Sequence, residues 1–455
     1  MIKGTPDRIR DRERDAILQS LRAGVVPRVG QQHIQVGRHN EINAVVEDIR
    51  RVAGGGSTIR FIIGEYGSGK TFFLMLMRAI ALQEKLVTVH ADLSPDRRLQ
   101  GSGGQARSLY AELMYNMSTR AKPEGGGLQS VVERFVTSAI EEATPRGVAP
   151  SVVISERLKA LQELVGGFDF ATVIKAYWDG YESGNDEVTS NVVRWLRGEF
   201  LTKTDARAAL RVRTIVDDAN WYDHLKLMSL FVRMAGYQGF FVCVDELVNL
   251  YKLASSPSRS ANYEQLLRIL NDSLQGSAVG MGWLLGGTPE FLLDTRRGLY
   301  SYQALQSRLE ENTFATAGLA DYSGPVLRLA NLSQEDFYVL LTRLRNVYAG
   351  GDPAKYVLPD DALSAFMAHC SERIGDAYFR TPRNTIKEFI NFLAVLEQNP
   401  QADWKALLGA VEIKPEVNTD LAPLPEPDGH ETPSAVTAGA GGAPEGHDDL
   451  STFRL

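Results

Sequence analysis

Apolar positions along the chain change their spacing several times, and each change marks an element. From Asp7 to Arg22, Ile9, Ile17, Leu18 and Leu21 fall among charged residues, which predicts a basic amphipathic helix. Asn40 is an N-cap candidate for a second helix running to about Val52, with Glu41 and Glu47 near its start. Ile59 to Ile63 is short, apolar and β-branched, and reads as a buried strand. Thr71 to Lys85 then gives a strongly apolar helix, and Leu86 to Ala91 a second strand. From about 105 to 237 the patterns are helical only, near residues 105–119, 128–143, 151–165, 168–181, 187–198 and 220–236. Phe240 to Val244, Gly280 to Leu285 and Pro325 to Leu329 predict three more strands, and residues 333–349, 359–374 and 382–397 three more helices. Strands joined by helical crossovers imply a doubly wound α/β fold, its parallel sheet buried on both faces.

Composition narrows the class. The 455 residues are 44% hydrophobic and 23% charged, which suits a globular chain with ample core. There is no long uncharged apolar run and no apolar stretch behind the first residues, so neither a membrane span nor secretion is expected. Two cysteines, Cys243 and Cys370, cannot build a disulfide scaffold or a zinc cluster, and Cys243 reads as a small core residue. The seven histidines make no metal spacing. A cytoplasmic protein is the expectation.

Charge matters only once it is divided. Residues 414–455 carry eight acidic and two basic residues, so of the net −7 only −1 belongs to the rest of the chain. The body is near neutral, and local patches must decide whether it meets nucleic acid. From Pro415 to about Asp449 the chain is rich in Pro, Gly, Ala and acid, and a disordered acidic tail is expected there.

The sharpest chemical signal is Gly64-Glu65-Tyr66-Gly67-Ser68-Gly69-Lys70-Thr71, with a predicted strand before it and a predicted helix after it. Glycines let successive backbone N–H groups turn toward phosphate, and the helix N-terminus adds positive potential. Lys70 would reach the β- and γ-phosphates of ATP, and the Thr71 hydroxyl would bind Mg²⁺. A glycine turn serving only to start a helix would explain the glycines but not the Lys-Thr pair. Asp245 and Glu246 emerge from the third strand, where ligands meet a parallel sheet. We assign Asp245 to the magnesium shell and Glu246 to the attacking water. Thr288, at the end of the fourth strand, either holds the lytic water or γ-phosphate or caps the following helix. Arg308 ends a short helix, with Arg296 and Arg297 as nearby competitors for any catalytic arginine.

Together these motifs resemble the AAA+ ATPases related to origin-recognition and helicase-loading proteins, over roughly residues 33–398. The resemblance implies that Val36-Gly37-Arg38 wraps the adenine, that Gly64–Thr71 is Walker A and Asp245-Glu246 Walker B, and that Thr288 is sensor 1. It further implies that Arg308 is an arginine finger reaching a neighbour's nucleotide and Arg383 a sensor 2 residue on a lid helix. Within that group, "GFFVCVDELVNLY", "QSRL" and "TPRNTIKEFINFL" look most like the BREX-type ATP-binding proteins of bacterial phage-defence islands. Such proteins imply an ATPase that assembles as a homo-oligomer on or near DNA and works with a DNA helicase.

The expected organisation is an AAA+ domain over 1–330 with a helical insertion at about 105–237, a three-helix lid over 331–398, and a short helix and tail over 399–455. The insertion separates Lys70 from Asp245 by 175 positions and is a partner or DNA surface in this reading. No winged-helix pattern follows the lid. Basic candidates for DNA are the N-terminal helix (Arg8, Arg10, Arg12, Arg14, Arg22), the loop with Arg97, Arg98 and Arg107, and the insertion's Arg194, Arg197, Lys203, Arg207, Arg211 and Arg213. Trp195 and Trp221 read as packing residues. The rival reading is a nucleotide-switched scaffold that binds proteins and not DNA. An unfoldase trails both, because no pore loop with an aromatic stands out.

Overall fold

A computed structural model of the chain describes residues 9–312, 314, 321–410 and 414. The expected disordered tail, and Arg8 of the N-terminal helix, lie outside the described residues. Five parallel strands, β1 (Thr58–Ile63), β2 (Val87–Asp92), β3 (Phe240–Asp245), β4 (Met281–Gly287) and β5 (Val326–Arg328), form one sheet in the order β2-β3-β4-β1-β5. All five strands match the expected ones to within one or two residues.

Alternation along each strand sends side chains to two different cores. Phe61, Val89, Val242 and Trp283 face the helices of the insertion between β2 and β3, whose Leu109, Phe135 and Phe231 share the same cluster. Ile62, Phe241, Cys243 and Leu284 face the other way, against Val45, Ile49 and Val52 of helix His39–Ala53 and Phe73, Leu74 and Met77 of helix Lys70–Gln83. Arg60 points to this second face too. Its guanidinium is buried on Asp48, with Nε donating to Oδ2 at 2.5 Å and Nη2 to Oδ1 at 3.2 Å. Cys243 is buried, and burial pushes its thiol up to about 12, so it packs as a small apolar group.

The insertion is all helical, comprising Gln105–Tyr115, Leu128–Arg146, Pro150–Leu158, Gly167–Ser183, Asp186–Leu196, Lys203–Leu210 and Trp221–Met234. It is bound into the sheet's core and does not hang from it. Trp221, 1% exposed, donates its indole N–H to Leu99 O at 3.0 Å, and the Tyr222 ring lies 6.2 Å from that of Trp283 in β4. Trp195 is equally buried and donates to Thr214 O at 2.9 Å. Both tryptophans pack, as their settings in the sequence suggest. The free edge of β2 is closed by the chain after Tyr115: Thr88 and Ser118 exchange backbone hydrogen bonds of 3.0 and 2.7 Å.

A third apolar cluster joins helices Gln334–Tyr348, Asp360–Ile374 and Arg383–Gln398 through Phe337, Leu341, Phe366 and Phe389. Ile17 and Leu18 of the N-terminal helix Asp11–Arg22 belong to it as well. Two local expectations change. Asn40 does not cap its helix: the helix starts at His39, and Arg38, in left-handed backbone at φ 59°, occupies the cap position without a side-chain cap bond. A 19-residue helix, Ser256–Leu274, also runs between β3 and β4, capped by the Ser255 side chain.

Candidate nucleotide site

The phosphate loop takes its shape from the sheet. Ile63 is in register with Gly287 of β4, and the chain leaves that row at Gly64 to turn into helix Lys70–Gln83. Gly67 and Gly69 sit at φ 80° and 81°, backbone that side chains with a Cβ rarely adopt. Lys70 curls back over the loop, its Nζ donating to Gly64 O at 2.9 Å and Glu65 O at 3.0 Å. The Ser68 hydroxyl is buried with no hydrogen-bond partner among the described residues.

Across the row, the Thr71 hydroxyl donates to Asp245 Oδ2 at 2.7 Å, joining residues 174 positions apart. Asp245 Oδ1 accepts from the Glu246 N–H at 2.9 Å, which fixes the carboxylate. Gly286 of β4 leaves the space that this carboxylate fills; a Cβ there would collide with Oδ1. Glu246 itself sits at φ 60°, an uncommon conformation for a residue with a side chain. The donor set fits ATP with Mg²⁺. Amide groups of a glycine loop, one lysine and an orphaned hydroxyl suit a polyphosphate. A hydroxyl beside a single carboxylate suits a hard cation whose other ligands are phosphate and water. No group of three or more metal-ligating side chains occurs among the described residues.

Beside the loop lies a cavity of about 220 Å³. Tyr66, Gly67, Ser68, Gly69, Lys70, Thr71, Arg38, Glu246 and Arg383 all line it. Arg38 donates to Ser68 O and, at 3.3 Å, to Ala330 O. Burial lowers the pKa of its guanidinium, against the opposing pull of Glu41 and Asp336. Arg383 opens its helix with its guanidinium 6.0 Å from the centre of the Tyr66 ring. Gly67 lies against the chain just before that helix, where a Cβ would come within 2.8 Å of Thr381 Cα and 2.9 Å of Arg380 O. Glu65 accepts from the Asn331 amide at 2.6 Å, tying the loop to the segment after β5.

Other singled-out residues stand apart from the cavity. Gly37 does not line it; it lies against Asp336. Thr288 is buried at the end of β4 and its hydroxyl accepts from Phe291 N–H at 3.4 Å, so it caps the short helix Pro289–Leu293. Arg308, on helix Gln303–Leu309, is exposed and donates to Asn271 Oδ1 at 2.8 Å and Ala304 O at 2.7 Å. Arg297 lies over the Tyr251 ring and donates to Tyr251 O at 3.1 Å, while Arg296 is exposed. Missing from the sequence reading were the cavity walls supplied by Val25, Val26 and Pro27, and Gln35 beside them. The apolar triplet after the N-terminal helix was the available signal.

Several of the basic clusters meet acids or carbonyls of the same chain. Arg97 pairs with Glu112 at 3.3 Å, Arg194 and Arg197 with Glu199 at 3.8 and 3.7 Å, and Arg107 donates to Gly198 O at 3.3 Å. No helix among the described residues is long and apolar enough to cross a membrane.

A search of curated proteins finds no match. A family model described as the BREX system ATP-binding protein BrxC/D matches residues 9–412, from the N-terminal helix through the phosphate loop, the insertion and the helices after β5. With nearly all of its length inside that match, the chain belongs to the BREX system ATP-binding protein BrxC/D family, an ATP-binding family of BREX phage defence.

Proposed function

We propose that the protein hydrolyses ATP with Mg²⁺ at this cavity and couples turnover to assembly of copies that act on DNA with a helicase partner. The observation that carries the reading is the Thr71–Asp245 hydrogen bond, with Thr71 and Glu246 lining a cavity floored by the phosphate loop. Mg²⁺, when bound, would neutralise charge developing on the phosphates. Thr71 and Asp245 would hold it. Lys70 would leave the Gly64 and Glu65 carbonyls for the phosphates, and Glu246 would orient the water and take its proton.

Helices Gln334–Tyr348, Asp360–Ile374 and Arg383–Gln398 would act as the lid, with Arg383 approaching the phosphates from its edge. The insertion at about 105–237 would be the partner surface of a 1–330 nucleotide-binding domain in the cytoplasm. Arg308 lies outside its own cavity and is exposed, so it suits a neighbour's site, and a shared site makes nucleotide state and assembly reciprocal. Within the AAA+ group this is the origin-recognition and helicase-loader type of action.

A second reading, a nucleotide-switched protein scaffold that does not bind DNA, draws support from the internal pairing of Arg97, Arg194 and Arg197. Turnover and sedimentation with and without duplex and single-stranded DNA separate the two, run beside Lys70→Ala and Glu246→Gln. The loader reading expects DNA to raise both, Lys70→Ala to lose both, and Glu246→Gln to bind ATP without turnover. Turnover indifferent to DNA favours the scaffold. A Lys70→Ala protein that matches the wild type overturns the nucleotide site.

A further inference from the structure

The cavity's polar side chains are unevenly distributed. Tyr66, Ser68, Lys70 and Thr71 belong to the phosphate loop; Arg38 and Arg383 lie on it, and Glu246 follows the carboxylate bound to Thr71. Gln35 is the exception. It shares the remaining, apolar lining with Val25, Val26, Ile34 and Val36. A lone, half-buried amide in such a wall is the polar group placed to orient a ligand there.

Gln35 is held firmly. Its backbone N–H donates to Gln31 O at 2.9 Å, its backbone carbonyl accepts from Arg343, and its side-chain Nε2 donates to Gly37 O at 2.5 Å. A carbonyl accepts only from the NH₂ end of a carboxamide, so this last bond fixes which end is committed. Oε1 is the end left to accept.

We propose that Gln35 reads the base: its Oε1 accepts from the exocyclic amine of a 6-aminopurine lying between the apolar walls. This rests on the reading that the phosphates sit on Gly64–Thr71. A 6-oxopurine would set its carbonyl oxygen against Oε1, leaving two acceptors facing each other in apolar surroundings, and such mismatches discriminate strongly. Gln35 thereby selects adenine over guanine and hypoxanthine nucleotides.

The test is calorimetric binding of ATP, inosine triphosphate and purine riboside triphosphate, which lacks any 6-substituent, to the full chain and to Gln35→Leu. Wild type is expected to prefer ATP over the other two by about 10- to 100-fold. Gln35→Leu should reduce that preference to within about threefold, mainly by weakening ATP. An unchanged preference in Gln35→Leu would overturn the assignment. Should that variant fail to fold, the wild-type series decides alone: equal binding of ATP and purine riboside triphosphate refutes a reader of the amine. Loss of all nucleotide binding by the wild type would instead remove the underlying site, and the base reader with it.

Discussion

The two faces of the sheet are built differently. One is covered by helices His39–Ala53 and Lys70–Gln83, which flank β1 directly in sequence and carry the phosphate loop between them. The other is covered by helices inserted between β2 and β3, together with Ser256–Leu274. The first face is compact in sequence and positions chemistry. The second is assembled from distant segments and supplies bulk: Trp221, Phe231 and Trp283 are all at most 1% exposed. The phosphate loop therefore sits on local geometry, with Asp245 brought to it from β3, while stability draws on long-range packing, and the two should respond separately to mutation.

The strongest break would come from replacing residues 105–234 by a short Gly/Ser linker. That strips the insertion face of its cover, and we expect no cooperative transition in calorimetry. Lys70→Ala should do the opposite, lowering turnover by at least about 100-fold while moving the melting temperature by no more than about 2 °C. Trp221→Ala sharpens the contrast on the insertion side. It removes a buried indole and its bond to Leu99, for an expected loss of about 3–5 kcal/mol in urea unfolding. On the nucleotide face, Arg60→Met would leave Asp48 buried without its charge partner, costing about 3–5 kcal/mol, and Asp48→Leu added to it should recover most of the loss.

A smaller effect concerns acid. Burial lowers His224 to about 4, and it lies between Tyr110 and Trp195 within the insertion core. An unfolded chain takes up a proton there near pH 6.5 while the folded one does not, so stability falls as pH drops from about 6.5 to 4. His224→Phe should flatten that fall by a few degrees of melting temperature without changing turnover at pH 8. Smallest of all, Arg97→Ala should cost no more than about 1 kcal/mol, because its pair with Glu112 is partly exposed.

What the sequence made legible follows the same division. The strands and the phosphate loop could be read because each is a local pattern: β-branched runs, glycines and a Lys-Thr pair before an apolar helix. Asn40 misled because residue preference cannot register that Arg38 turns left-handed to reach Ser68. Ser256–Leu274 escaped because few of its 19 positions are buried, which leaves a weak apolar stripe. The Arg60–Asp48 pair and the Gln35–Arg343 bond join residues far apart or on separate elements, and neither leaves a trace in spacing. Thr288 stood between two readings, and its bond to Phe291 accounts for the capping one.

The closure of β2 by Ser118 has a consequence for how copies of the chain can meet. A sheet edge with open amide and carbonyl groups invites another strand, and that route commonly ends in uncontrolled aggregation. Here Thr88 is already paired on both its N–H and its carbonyl, and the His90 carbonyl accepts from the Asn116 amide at 3.1 Å. Growth of the sheet from that side is blocked. Association there must match side chains to side chains, so it can be selective, reversible and open to control.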